Sequence, residues 1–185
     1  MRFSTQSNHA GSPFNRTNSA MASVRTLEKA KKITIQDLLI HNLNYTKQHR
    51  LQVAALCWRW NSKGRLRILL ITSRETRRWV IPKGWPMRNR TQAGSAAREA
   101  YEEAGVKGRL YEESIGIYTY DKSISRGRSF PCAVRVFPLN VYTLLKKYPE
   151  NGQRKSKWFS RKKAMSKVRE PELREIIRNF DPKEL

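Results

Sequence analysis

The stretch Gly84 to Val106, GWPMRNRTQAGSAAREAYEEAGV, decides the reading of this 185-residue chain, because it gathers Glu99, Glu102 and Glu103 on one face of an expected helix. At about 100° per residue, Glu103 lies about 40° from Glu99 and Glu102 about 60° to the other side. Ala97, Ala100 and Ala104 then fall on the opposite face. Like charges one turn apart repel, weakening an isolated helix by roughly a few tenths of a kcal/mol per pair, so a helix that stacks them invites a bound cation. Ligands that are all carboxylate oxygens suit Mg²⁺, or Mn²⁺, rather than zinc. A lone E-x-x-E-E would be read as a solvated acidic face. The residues around this one point elsewhere.

Counting outward, Gly84 leads the segment, Arg98 and Glu99 precede Ala100, Tyr101, Glu102 and Glu103, and Ala104, Gly105 and Val106 close it. This resembles the Nudix box, G-x5-E-x7-R-E-U-x-E-E-x-G-U with U apolar. Every defined position matches except the first Glu, where the chain has Arg90. The resemblance implies an α/β fold, a Nudix-type α/β/α sandwich with a mixed central sheet. It also implies metal ligation by Glu99 and Glu103, with Glu102 sharing the cluster and a backbone carbonyl near Gly84 as a further ligand. Arg98 is expected to orient a neighbouring Glu by a charge-assisted hydrogen bond. The missing Glu is auxiliary in the family, so Arg90 bears on metal number or affinity rather than on the class of chemistry. Gly105, directly after the last helical residue, reads as a C-terminal cap.

The likeness runs beyond the box, from about Arg50 to about Glu172. TSRETRRWVIPKG at Thr72 to Gly84, EEAGVKG at Glu102 to Gly108, and RKSKWF at Arg154 to Phe159 are similar to the diphosphoinositol polyphosphate phosphohydrolase branch. That branch cleaves phosphoanhydride bonds in inositol pyrophosphates and diadenosine polyphosphates. The implied reaction is Mg²⁺-assisted hydrolysis of a diphosphate linkage, with the general base either within the box, at Glu102, or on a later acidic residue, Glu150. Arg74 and Arg154 are the first phosphate-binding candidates, followed by Arg50, Arg78 and Lys83. Gln52 stands where family members carry a basic residue. Rival readings are a Nudix hydrolase of ADP-ribose or RNA 5′ ends, with Trp58, Trp60, Trp79, Trp85 or Tyr120 stacking a base, and a nucleic-acid-binding protein with an inactive box. An intact R-E-x-x-E-E argues against the last.

The formal charge of +23 attracts polyanions: nucleic acid, anionic lipid or a small, densely phosphorylated substrate. Cys57 and Cys132 make neither a metal spacing nor a disulfide framework, so a reducing compartment, the cytoplasm, is expected. Cys57, within VAALCW, reads as a small buried thiol. His9, His41 and His49 all precede the first strong strand and match no Ser or Cys triad spacing. No apolar run approaches about 18 residues, so no membrane span is expected.

Residues 1–27 contain no acid and no apolar periodicity, and read as a disordered tail whose Arg and Ser content also fits an organellar transit peptide. Residues 28–49 read as a lead-in that includes the ambiguous ITIQDLLIHNLN at Ile33 to Asn44, and residues 50–185 as the Nudix domain. Leu51 to Trp60 and Arg65 to Thr72 are expected to form a β-hairpin across Asn61-Ser62-Lys63-Gly64. Arg78 to Pro82 is expected as a short strand. Arg109 to Tyr120 and Arg135 to Leu144 are expected as longer ones, joined by a basic loop from Asp121 to Arg128. Helices are expected from Ser160, a good N-cap, and from Glu170-Pro171-Glu172, with proline in a permitted first-turn position.

Overall fold

The computed structural model of the chain describes Met1, residues 49–125 and residues 127–185. The expected tail at 2–27 and the lead-in up to residue 48 lie outside the described residues.

Strand β1, Arg50–Trp60, is the organising element. Its buried run alternates between two cores: Ala54, Leu56 and Trp58 face one, while Val53, Ala55 and Cys57 face the other. Successive side chains of a strand point to opposite faces, so a central strand covered on both sides must read as unbroken apolar sequence. β2, Leu66–Thr72, returns antiparallel to β1. The turn between them is held by Asn61, whose side-chain oxygen accepts the Lys63 and Arg65 backbone N–H groups.

Two two-residue strands follow, β3 at Trp79–Val80 beside β2 and β4 at Lys83–Gly84 beside β1. Of the short strand expected at Arg78 to Pro82 only Trp79–Val80 is strand, and β4 lies just beyond it, pairing with a different neighbour. α1, Gln92–Ala104, leads to β5, Val106–Leu110. β6, Gly116–Ser125, and β7, Arg128–Leu144, then form a long antiparallel hairpin. The expected strand from Arg109 to Tyr120 is thus two strands, and most of the expected basic loop is strand. β8, Ser156–Ser160, was not foreseen; it pairs antiparallel with β2. α2, Arg161–Lys167, and α3, Pro171–Asn179, start where expected, with the Ser160 hydroxyl accepting the Lys163 N–H.

The eight strands among the described residues form one sheet with central order β3-β2-β1-β7-β5, mixed because β1 and β7 are parallel and the other pairs antiparallel. Ala93, Ala96, Ala100 and Ala104 of α1 pack on one face, and Leu173, Ile176 and Ile177 of α3 on the other. This is the expected α/β/α sandwich. The alanine face is turned from the expected one: Ala93 and Ala96 join the core, while Ala97 is only partly buried. No helix among the described residues is long and apolar enough to cross a membrane.

Candidate active site

One cleft of about 390 Å³ is lined by the carboxylates of α1 and by cations from the connection between β2 and β3, from β4, from β6 and from the connection between β7 and β8. The helix is fixed at both ends. The Thr91 hydroxyl accepts the Gly94 N–H at 2.9 Å, and Gly105, at φ +66°, donates its N–H to Ala100 and Tyr101 carbonyls. Because α1 presents only methyl groups to the sheet, it lies close enough for Glu103 to be buried at the edge of that contact.

β4 runs beneath these carboxylates. The Lys83 N–H donates to Glu103 Oε2 at 3.0 Å. A Cβ on Gly84 would fall 2.1 Å from the Glu99 carboxyl, so only glycine lets that carboxylate lie against the backbone. Arg98 donates through Nε to Glu102 at 2.6 Å. Burial, and then the neighbouring Glu103, Glu102 and Glu150 charges, push Glu99 up to about 7. Burial also raises Glu103, against the opposing pull of Arg154 and of the Lys83 N–H. Lys83, itself largely buried, is lowered to about 8, with Lys122 and Arg78 adding to the effect and Glu103 opposing it. The buried Cys57 thiol is raised, chiefly by desolvation.

The residues from Leu145 to Lys155 form neither helix nor strand, yet they carry two groups of the cleft. The Glu150 N–H donates to the Glu102 carbonyl at 3.0 Å. Thr72 and Lys155 clasp each other, the Thr72 N–H to the Lys155 carbonyl and the Lys155 N–H to the Thr72 hydroxyl. So anchored, Arg154 turns inward to meet Glu103, Glu150 at 2.8 Å and the Thr72 carbonyl at 3.1 Å. Arg74 lies 3.5 Å from the other Glu150 oxygen.

The cleft therefore brings together Arg74, Arg78, Lys83, Gly84, Glu99, Glu102, Glu103, Glu150 and Arg154. Arg98 stands behind the cleft wall, holding Glu102. Arg50 is the exception among the expected substrate-binding residues: its guanidinium lies 4.2 Å from the centre of the Phe130 ring, outside the cleft lining. Arg78 does line the cleft, but it is also committed to Glu170 at 2.5 Å. Gln52 is buried and accepts the Tyr120 hydroxyl at 2.6 Å. Lys122, placed by the sequence reading in a loop, stands in the cleft wall two residues after Tyr120. The period-two pattern of Tyr118, Tyr120 and Lys122 was the signal that could have located it.

Among the described residues no three acidic or other ligating side chains converge as a ready-made cage, since Arg98 draws Glu102 and Arg154 draws Glu103. The donors still fit a hard divalent cation. They are oxygens on one wall, Glu99 has no hydrogen-bond or ion-pair partner among the described residues, and the bare Gly84 backbone lies against its carboxylate.

Comparison with known proteins bears on the family and the fold. The NUDIX domain model matches residues 50–180. The chain is 31% identical over 124 residues to Nudix hydrolase 13, mitochondrial, of Arabidopsis thaliana, covering 64% of this chain and 61% of that protein. It is 33% identical over 110 residues to diphosphoinositol polyphosphate phosphohydrolase 3-alpha of Mus musculus, covering 58% and 62% respectively. The match thus spans about three fifths of each relative's length. In fold it is similar to a C. elegans Ap4A hydrolase, with TM-score 0.52 and 20% identity over 69% of this chain and 92% of that one. It is likewise similar to the MutT protein of Methanosarcina mazei Go1, with TM-score 0.53 and 21% identity over 75% and 97%.

Proposed function

This chain belongs to the Nudix family, and from that premise we propose that it is a Mg²⁺-dependent hydrolase of a phosphoanhydride linkage in a small, highly phosphorylated substrate such as a diadenosine polyphosphate or an inositol pyrophosphate. The observation that carries the proposal is that Glu99, Glu102 and Glu103 line one cleft together with Arg74, Lys83, Lys122 and Arg154. Acidic oxygens without the cations would serve a metal alone, and cations without the oxygens would serve any polyanion. Both together fit a metal–polyphosphate substrate.

Glu99, Glu103 and the backbone at Gly84 would hold the ion, with Glu102 completing the cluster. A bound Mg²⁺ supplies charge neutralisation at phosphate oxygens and acidifies water; Mn²⁺ suits the same oxygens. Lys83 and Arg74 meet the substrate phosphates, and Arg154 stabilises the charge that builds on the leaving phosphate. Removal of the water proton is assigned to Glu102 or Glu150. Arg98 acts on Glu102 rather than on substrate. Residues 50–185 are proposed as the catalytic domain, with the first 27 residues deciding between cytoplasm and organelle.

The test is Mg²⁺-dependent turnover of diadenosine tetraphosphate, an inositol pyrophosphate, ADP-ribose and 5′-triphosphorylated RNA. Glu103→Gln should lower turnover of the best substrate by about a hundredfold. Retention of activity to within a few-fold would remove the metal assignment.

A further inference from the structure

Arg78, in the cleft wall, is backed by a carboxylate from the far face of the sheet. Glu170 stands at the head of α3, the helix whose Leu173, Ile176 and Ile177 pack opposite α1. It occupies the N-cap position, where a short polar side chain would accept a free N–H of the first turn. The Glu170 carboxylate makes no such bond. It meets Arg78 Nη1 instead, at 2.5 Å, with the Glu170 side chain 8% exposed and that of Arg78 17%.

This contact suits the alignment of a guanidinium better than the clamping of a helix to a sheet. A clamp would set both carboxylate oxygens against the guanidinium fork. Here only Oε1 is engaged, and Oε2 is buried without a partner, an arrangement that costs stability. Arg78 Nε and Nη2 meet no acceptor among the described residues, although Arg78 lines the cleft. Its backbone is fixed there. The Ser73 N–H donates to the Arg78 carbonyl at 2.8 Å, and the Arg78 N–H to the Ser73 hydroxyl at 3.2 Å. Arg78 and Lys83 both approach the Tyr120 ring, the guanidinium carbon 5.7 Å and Nζ 4.7 Å from its centre. Two cations so near each other repel, and a buried anion on one of them lets both stay.

We propose that Glu170 is a positioning residue: it holds Arg78 through Nη1, so that the unused Nε and Nη2 donors receive a substrate phosphate beside Lys83. This rests on reading the cleft as a phosphoanhydride-cleaving site. It joins the head of α3 to the phosphate-binding apparatus, though Glu170 itself touches no substrate.

The experiment measures kcat and KM for diadenosine tetraphosphate in the full chain, in Glu170→Gln, in Arg78→Ala and in the double variant, with melting temperature reporting folding. Glu170→Gln should raise KM about fivefold with kcat held to within about twofold, because a neutral amide holds the guanidinium less firmly. In the Arg78→Ala background the same substitution should leave KM unchanged, a non-additivity that a residue serving only the fold would not show. A KM within about twofold of wild type in folded Glu170→Gln overturns the proposal, and so does an equal rise with and without Arg78. Should Glu170→Gln not fold, Glu170→Asp, which keeps the charge but withdraws it by one methylene, is judged by the same two criteria. If no phosphoanhydride turns over, the hydrolase reading fails, and calorimetric titration with inorganic tripolyphosphate in Mg²⁺ judges Glu170 alone. Binding that Glu170→Gln weakens only when Arg78 is present supports the positioning role, and equal affinity overturns it.

Discussion

Replacing Arg154 by Ala should cost the metal-free protein about 3 kcal/mol at pH 8, the range expected when one partner of a buried ion pair is removed and the other charge is left uncompensated. The pair qualifies as buried, with side chains 7% and 9% exposed for Arg154 and Glu103. One guanidinium also serves Glu150 and the Thr72 carbonyl, so three acceptors lose their donor together. The loss should depend on pH in one direction. Burial already raises the Glu103 carboxyl above its ordinary value, and without Arg154 it would rise further. A group whose folded pKa is raised keeps its stabilising contribution below the unfolded pKa and loses it as pH climbs through the folded one. The variant's deficit should therefore be small near pH 5 and full at pH 8. Urea unfolding in chelator at both pH values measures this, and the same titration with Mg²⁺ should show greater metal stabilisation in Arg154→Ala than in wild type, because the freed carboxylates gain a cation. Arg154→Lys, which keeps the charge but not the fork, should fall between the two. A deficit below about 1 kcal/mol at pH 8, equal at pH 5, would refute the claim that this guanidinium holds the acidic wall together.

Further expectations concern the same wall. Gly84→Ala places a methyl group on the Glu99 carboxyl and should weaken Mg²⁺ binding by about tenfold or more in calorimetry, with the fold retained. Glu99 is raised to about 7, so metal-free protein should lose stability as pH rises from about 5 to 8, and Glu99→Gln should flatten part of that slope in thermal melts. Arg90 is exposed and lies outside the cleft lining, so Arg90→Glu should alter Mg²⁺ affinity by less than about twofold while stabilising the start of α1 by about 0.3–1 kcal/mol.

What the sequence could convey depended on how local the signal was. The carboxylate helix, the first hairpin and the two C-terminal helix starts rest on spacing and capping within a few residues, and they stand as expected. The site residues that came from the box itself, Gly84, Glu99, Glu102 and Glu103, meet in one cleft for the same reason. Arg50 falls outside the cleft lining, beside Phe130, a neighbour eighty positions away that comes next to it through the parallel pairing of β1 with β7. Glu170 as the partner of Arg78 was invisible for a similar reason, a separation of 92 residues. β8 carries only two apolar residues, the adjacent Trp158 and Phe159, in five positions, too short a run to distinguish from a connection.

The segment from Leu145 to Lys155 places a length constraint on the lineage of this chain. Its backbone is clasped at Glu102 on one side and Thr72 on the other, and Glu150 and Arg154 reach the cleft only from that fixed span. A deletion of one residue in it would leave every strand standing while dismantling the charge pairing of the acidic wall. For this stretch, inheritance must preserve the count of residues as strictly as the identity of the two that reach the cleft.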